Sequence, residues 1–462
     1  MTDYSNYQSP YSWRYASPEM RAIWSEENKR KIWRRIWVAL AEVQQEYGLV
    51  KPEQTADLRA AMERIDIERA LAIEAEIHHD LMAELTTFAE QAPIGGGALH
   101  MGATSMDIED NCDALRVQQS LRLILNQYKN LLAALAVRIE ATAHTPTLAF
   151  THIQPAEPTT IGYRLALYAQ DLLNVYLQLS TLLAQLRGKG FKGAVGVGAA
   201  YGDLLGAENL DAFEAKMSAR LDLPFFTIAS QTYPRLQDYQ IISALSGMGA
   251  VLHKFAFDLR LLQSPVFGEW SEPFGKKQVG SSAMPFKRNP INAEKIDSLA
   301  RSLSVLPQVA WSNAATSLLE RTLDDSANRR SDLPEAFLIS DELLKVSTRL
   351  IQGFVINEAA VERNLLNYAP FSAIERILMA LSAKGASRQA MHERLRQHAL
   401  DAWQVVQQGQ ANDLLARVAA DDEIRRYLSA EEISELAQVQ GYIGFAPQHA
   451  LKMAAEIEQQ IR

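Results

Sequence analysis

Residues 113–143 read DALRVQQSLRLILNQYKNLLAALAVRIEATA, and this stretch decides the fold. No glycine or proline interrupts it. Leu115, Leu121, Ile124, Leu125, Tyr128, Leu132, Leu135 and Ile139 recur at three- and four-residue intervals, which puts them on one face of a long α-helix. The same pattern returns over 160–187, a helix of roughly 42 Å at 1.5 Å per residue, and over 235–263. A fourth such segment covers 292–319, with a kink expected at Pro307, and a fifth opens at Asp332, with Glu335 completing a capping box. Five long helices joined by polar loops predict an all-α protein built on an elongated central bundle.

Working outward, Trp33, Ile36, Trp37, Leu40, Val43 and Tyr47 mark an amphipathic helix between Ser25 as N-cap and Gly48 as stop. A Gly-rich turn at Gly95–Gly97 follows, and a further set of short helices is expected from Tyr368-Ala369-Pro370 onward. Three helical domains result: an N-terminal one over 1–111, the bundle over 112–364, and a C-terminal one over 365–462. Alternating strand patterns are nearly absent, and no short-period repeat occurs. The apolar stripes of the long helices are broader than one bundle covers, which predicts a homo-oligomer.

Composition narrows the function. The chain has 462 residues, 48% of them hydrophobic, enough for more than one core. A formal charge of −9 argues against generic binding to nucleic acid or anionic membrane, so an anionic ligand needs a local basic pocket. The single cysteine, Cys112, rules out an intramolecular disulfide and fits a reducing cytosol. Met1–Ser12 is polar, without the apolar core of a signal peptide, and the uncharged run over 241–252 is too short to span a bilayer. A soluble, cytoplasmic protein is expected.

The chemistry concentrates in 278–294, QVGSSAMPFKRNPINAE, part of a Gly- and Pro-broken segment running from Pro265 to Pro290 that reads as a lid loop. Ser281 and Ser282 follow Gly280, Lys287 and Asn289 lie between Pro285 and Pro290, and Glu294 falls where helix resumes. Four more polar clusters sit near helix ends: His78-His79-Asp80, Thr104-Ser105, Thr151-His152 ahead of a helix that Thr159 or Thr160 can cap, and 320–330, ERTLDDSANRR. The arginines and Ser326 of the last suit a phosphate.

Each cluster has a bland alternative. Adjacent His78 and His79 on one helix point apart, so only one should reach a site; Thr104-Ser105 can be a helix cap. Asp324, Asp325, Arg329 and Arg330 can form a solvated ion-pair network. No His-Glu-x-x-His or comparable spacing supports a metal site.

Together these motifs resemble the fumarase/aspartase superfamily, through the lid GSSAMPFKRNP at 280–290. Within it the chain looks like the branch that splits adenylosuccinate, in its animal-type form, through RYASPEM at 14–20, HDLMA at 79–83 and RTLDDSANRR at 321–330. The resemblance covers nearly the whole chain. It implies three helical domains, a bundle shared among four subunits, active sites where three subunits meet, and no cofactor. It also implies a C–N lyase that eliminates fumarate from adenylosuccinate and from succinylaminoimidazole carboxamide ribotide in purine synthesis.

By residue-by-residue likeness, Ser281 is the general base, with adjacent Ser282 as rival; His152 is the general acid, oriented by Glu294. Lys287, with Asn289, Thr104 and Ser105, stabilises the charge that develops on the substrate carboxylate. Arg14, Tyr15, Ser326 and Arg330 grip the phosphate with His79 nearby, Gln231 meets the succinyl group, and Asp80, Thr151 and Arg321 complete the substrate set. The chain departs from the animal-type pattern in the acidic run Asp107-Ile108-Glu109-Asp110, in Lys295 and in Val197. A sister enzyme such as argininosuccinate lyase or carboxymuconate cycloisomerase should lack the paired Arg14/Tyr15 and Ser326/Arg330 groups. A silent scaffold, of the kind lens crystallins exemplify, has no need of Ser281, Lys287, Asn289, His152 and Glu294 together.

Overall fold

A computed structural model describes residues 5–462; residues 1–4, the start of the polar N-terminal stretch, lie outside the described residues. The elements that place the site, in chain order, begin with α1 (Glu26–Glu46), α2 (Ile67–Ile77), α3 (Asp80–Gln91) and α4 (Ser105–Thr142). The strands β1 (Pro146–Thr151) and β2 (Gln154–Thr160) lead into α5 (Ile161–Gln185) and α6 (Leu236–Gln263). After β3 (Trp270–Ser271) come α7 (Ile291–Ala315), α8 (Ser326–Gly353), β4 (Val355–Ile356) and α9 (Glu358–Ala383). Helix dominates, as its apolar spacing predicts.

The caps follow local chemistry. Ser25 accepts from Asn28 N and starts α1, whose chain turns away at Gly48 with φ +78°. Thr160 Oγ1 accepts from Tyr163 N at 3.1 Å and starts α5. The eight apolar positions that mark the α4 stripe are all buried, each contributing about 1.5–3 kcal/mol relative to exposure.

The chain divides into two compact units, each assembled from segments far apart in sequence. The first comprises Met1–Tyr128, Val175–Ala250 and Leu299–Lys345; the second comprises Lys129–Asn174, Val251–Ser298 and Val346–Arg462. Each of α4 to α8 contributes residues to both. The first unit has a core in which Ile36, Trp37 and Leu40 of α1 pack with Leu81 and Phe88 of α3, Ile108 and Cys112 of α4, and Phe191, Tyr201 and Phe213. Within it the buried Glu84 carboxylate is satisfied by Arg30 at 2.7 Å and Arg34 at 2.6 Å. The second unit has a C-terminal core around Ile377, Leu381, Leu395, Leu414, Val418 and Ile433.

Four local expectations are corrected. α4 begins at Ser105, eight positions before Asp113, because the acidic run after Ser105 is already helical. α8 begins at Ser326, so Asp332 and Glu335 lie inside it and form no capping box; Pro334 is accommodated in the helix instead of marking its first turn. Pro370 likewise lies within the continuous α9. Residues 146–160 form an antiparallel hairpin with Thr151 opposite Gln154, although Pro146, Pro155 and Pro158 argue against strand. No helix among the described residues is long and apolar enough to cross a membrane.

Candidate active site

In the first unit one cavity gathers eight of the expected substrate residues: His79, Asp80, Thr104, Ser105, Gln231, Arg321, Ser326 and Arg330. Helix ends bring them there. His78 closes α2 in the left-handed region, φ +56°, and His79 is the N-cap of α3, with Nδ1 accepting from Met82 N. Because the chain breaks between them, both imidazoles line the cavity, contrary to the expectation for neighbours on one helix. His79 Nε2 lies 3.4 Å from Ser105 Oγ.

Ser105 is held by the turn before α4. Gly102 has φ +76°, and a Cβ there would meet the Tyr201 ring at 2.8 Å. Thr104 N–H donates to the buried Asp107 carboxylate at 3.0 Å, which also receives Gly193 N–H, Tyr201 OH and the ammonium of Lys189. Asp107, a departure from the animal-type pattern, therefore ties the 188–198 loop to the start of α4.

The 320–330 cluster divides in two. Arg329 is mostly buried, donating to Asp238 at 2.9 Å and to Tyr233 OH at 2.7 Å, with Asp113 at 3.3 Å. Arg235 joins it by pairing Asp110 at 3.1 Å and Asp325 at 2.7 Å. This core of the motif is a desolvated network, in place of the solvated one that its charge pattern allows. Its outer part faces the cavity: Arg321 reaches Asp325 at 2.7 Å, and the more exposed Arg330 donates to Asp80 at 2.9 Å. Burial works against the charge of Arg330, but Asp80 outweighs it and raises the guanidinium pKa.

Glu109 also lines this cavity and an adjoining one that includes Lys29, Asp113, Arg116 and Arg329. Burial first, then the Asp80, Asp110 and Asp113 carboxylates, push its carboxyl up to about 8 against the opposing pull of Arg330. In the sequence Glu109 stands out only as an unusual acidic residue. The available signal was its position four residues after Ser105, on the same helical face.

Arg14 and Tyr15 do not line this cavity. They precede Ala16, whose φ of +67° is strained for a residue with a side chain. The turn is anchored to α8, where Glu342 accepts from Ala16 N–H at 3.1 Å and Asp341 accepts from Ser17 Oγ at 2.9 Å.

The second unit carries the groups expected to do the chemistry. His152 does not stand beside a helix start: with Ile153 it forms the two-residue tip of the β1–β2 hairpin, with Thr151 as the last residue of β1. Both tip residues have positive φ, 54° and 60°, as tight hairpin turns demand. That conformation is costly for β-branched Ile153 and exposes the imidazole.

The lid is irregular apart from β3, and its polar groups organise one another. Ser281 Oγ accepts from the backbone N–H groups of Met284 at 3.2 Å and Ala283 at 3.4 Å. Asn289 Nδ2 donates to Gly280 O at 3.0 Å, and Lys287 N–H to Met284 O at 3.0 Å. A Cβ on Gly280 would lie 2.1 Å from the Lys287 carbonyl oxygen, so only glycine fits the crossing. Glu272 accepts from Asn292 N at 3.2 Å and Ala293 N at 2.6 Å, capping α7 with a carboxylate and fixing Glu294 in its first turn. Within one chain His152 makes no hydrogen bond to Glu294, and the Lys287 ammonium makes none to Ser281; the side chains of Ser282, Lys287 and Glu294 are exposed.

Long helices carrying a phosphate-suited cavity and a serine-bearing loop define a lyase of the fumarase/aspartase superfamily, and residues 13–303 match the family described as "Lyase". Residues 370–451 match "Adenylosuccinate lyase C-terminus". The chain is similar to the adenylosuccinate lyase of Saccharomyces cerevisiae, 38% identical over 98% of this chain and 95% of that one. It is also similar to those of Schistosoma mansoni, 38% identical over 91% and 89%, and of Pyrococcus abyssi, 35% identical over 95% of each. The chain belongs to the adenylosuccinate lyase family.

Solved structures share the fold. The 3-carboxy-cis,cis-muconate lactonizing enzyme of Pseudomonas putida superposes with a TM-score of 0.86 at 23% identity, covering 98% of this chain and 99% of that one. The fumarate lyase of Mesorhizobium sp. BNC1 gives 0.84 at 21% identity, covering 97% and 99%. At these identities the likeness concerns fold alone.

Proposed function

We propose that this chain eliminates fumarate from adenylosuccinate to give AMP, and from succinylaminoimidazole carboxamide ribotide to give the corresponding amine, in purine nucleotide synthesis. The observation that carries the reading is the convergence of His79, Thr104, Ser105, Gln231, Arg321, Ser326 and Arg330 on one cavity in a chain of this family. Arginines, a hydroxyl and an imidazole suit a nucleotide phosphate despite the overall charge of −9.

The proposed chemistry starts with Ser281 removing the proton from the succinyl carbon next to a carboxylate. The carboxylate takes up the electron pair and Lys287 stabilises the added charge, with Asn289, Thr104 and Ser105 fixing its geometry. The pair then returns to form the carbon–carbon double bond while the C–N bond breaks toward nitrogen, which His152 protonates. A serine is a weak base, and the backbone N–H groups of Ala283 and Met284 on Ser281 Oγ supply part of the stabilisation its alkoxide needs. Glu294 orients His152, Ser282 is the rival base, and Thr151, Asp80, Arg14 and Tyr15 complete substrate binding.

The same reading includes a cytoplasmic homotetramer with active sites shared between subunits, and the division into domains at 1–111, 112–364 and 365–462. Exposed Leu167, Phe257, Val305 and Trp311 on α5, α6 and α7 support association through the long helices. The test is the ultraviolet absorbance change on adding the protein to adenylosuccinate, with AMP and fumarate identified by chromatography. Conversion by the wild type that Ser281→Ala lacks supports the reading; no conversion, with argininosuccinate then split, overturns it.

A further inference from the structure

Glu109 occupies a position that the proposed chemistry does not use. It lies on α4 one turn after Ser105, partly buried, on the wall shared by the two adjoining cavities that Asp80, Arg321, Ser326 and Arg330 also line. Asp80 holds Arg330 at 2.9 Å, Arg321 is engaged with Asp325, and Arg329 is enclosed by Asp238, Asp113 and Tyr233. Glu109, by contrast, makes no hydrogen bond or ion pair among the described residues. Arg330, the exposed guanidinium of the set, therefore shares the cavity with one carboxylate that already pairs it and a second carboxyl group without a hydrogen-bond partner.

We propose that Glu109 sets the affinity of this cavity for a phosphorylated ligand: as a neutral acid it leaves Arg330 and Ser326 to the phosphate, and as a carboxylate it repels the dianion and competes for Arg330. The inference rests on the phosphate-binding reading of the cavity. Electrostatics agree, because burial and then the carboxylates of Asp80, Asp110 and Asp113 raise the carboxyl to about 8, which keeps it mostly protonated at neutral pH. A phosphate monoester has its second pKa near 6 and is already a dianion there, so a change above pH 7 does not come from the ligand.

Other charges face the same space. α1 contributes Glu26 and Lys29, α2 contributes Glu74 with His78 at its end, and His79 and Asp80 open α3. α4 adds Asp113 and Arg116 beside Glu109, with Asp110 in the network behind, and Arg235 precedes α6. Arg321, Arg329 and Arg330 complete the set. Replacing Glu109 alone by its neutral isostere leaves all of these in place, so the difference between wild type and Glu109→Gln isolates one group.

The experiment measures KM for adenylosuccinate from pH 6.5 to 9.5 in wild type and Glu109→Gln, with calorimetric titration of AMP at pH 8 in buffers of different ionisation enthalpy. Wild-type KM should rise about five- to tenfold through a midpoint near 8, and Glu109→Gln should lack that rise. AMP binding should draw up to about half a proton onto the wild type, as linkage requires of a group half-ionised at that pH, and less onto the variant. Parallel KM profiles or equal proton uptake would overturn the assignment, and so would failure of the wild type to bind AMP. If the wild type binds AMP with the expected uptake but does not split adenylosuccinate, the lyase reading fails while Glu109 keeps its role.

Discussion

Arg330 donates to Asp80 at 2.9 Å, joining the N-terminal part of α8 to the first residue of α3 in the wall of the cavity. A bound phosphate has to compete with Asp80 for this guanidinium. Arg330→Ala should therefore raise KM for adenylosuccinate by about tenfold or more while leaving kcat within a small factor, the signature of lost ground-state binding. Steady-state kinetics check this; a loss confined to kcat would place Arg330 in contact with the transition state instead.

Ser281→Ala should lower kcat by about 10²–10⁴-fold, the range for removing a positioned proton-transfer group. Circular dichroism and gel filtration should match the wild type, because Ser281 belongs to the lid and contributes nothing to either core. Activity at the wild-type level would transfer the role to Ser282.

Gly280→Ala tests how the lid crosses itself. Its Cβ would sit 2.1 Å from the Lys287 carbonyl oxygen, a backbone atom that cannot swing aside, so the Asn289–Gly280 bond and the placement of Lys287 should both be lost. We expect a fall in kcat with little change in thermal stability; an alanine variant with wild-type kcat would show that the loop geometry is dispensable.

The buried network predicts a stability cost elsewhere. Arg329→Ala leaves Asp113, Asp110 and Asp238 without a shared cation and should cost about 3–5 kcal/mol, as for other broken buried pairs. Urea denaturation provides the measure, and a midpoint like the wild type's would mean that the carboxylates find another partner.

Glu109 should leave a trace on stability as well as on binding. Its carboxyl rises from 4.5 to about 8 on folding. Below about pH 4.5 it is neutral in both states; between 4.5 and 8 the unfolded chain ionises while the folded one resists, so folding loses free energy as pH rises. Glu109→Gln removes that loss and should be more stable than wild type at pH 8.5 by a wider margin than at pH 5.5. Equal margins in chemical denaturation at the two pH values would contradict the shift.

The long helices are legible because uninterrupted three-and-four spacing over more than twenty residues has no competing interpretation, and the Ser25 cap is legible from the hydroxyl alone, whereas only the structure chooses Thr160 over Thr159. What escapes the sequence is settled by tertiary packing. Asp332 reads as a helix start and Pro370 as a boundary, yet the helices continue through both. The proline-rich segment 146–160 pairs as a hairpin because its two strands satisfy one another's backbone. The cavity set is readable residue by residue through resemblance, but neither the left-handed His78 that turns both imidazoles inward nor the role of Glu109 follows from spacing. Arg14 and Tyr15 are tied to α8 by a strained turn away from that cavity, a placement no motif encodes.

The discontinuous make-up of the two units bears on how the chain is synthesised. The first unit needs Leu299–Lys345 before it is complete, and the second needs the segment ending at Arg462. An emerging chain thus holds α4 against α1 and α3, made before it, while the later segments that complete each unit are still to come. Neither unit is complete as a contiguous stretch of chain, so folding of each has to wait for its last segment. For the same reason, no single cut in the chain releases either unit as a contiguous folded fragment.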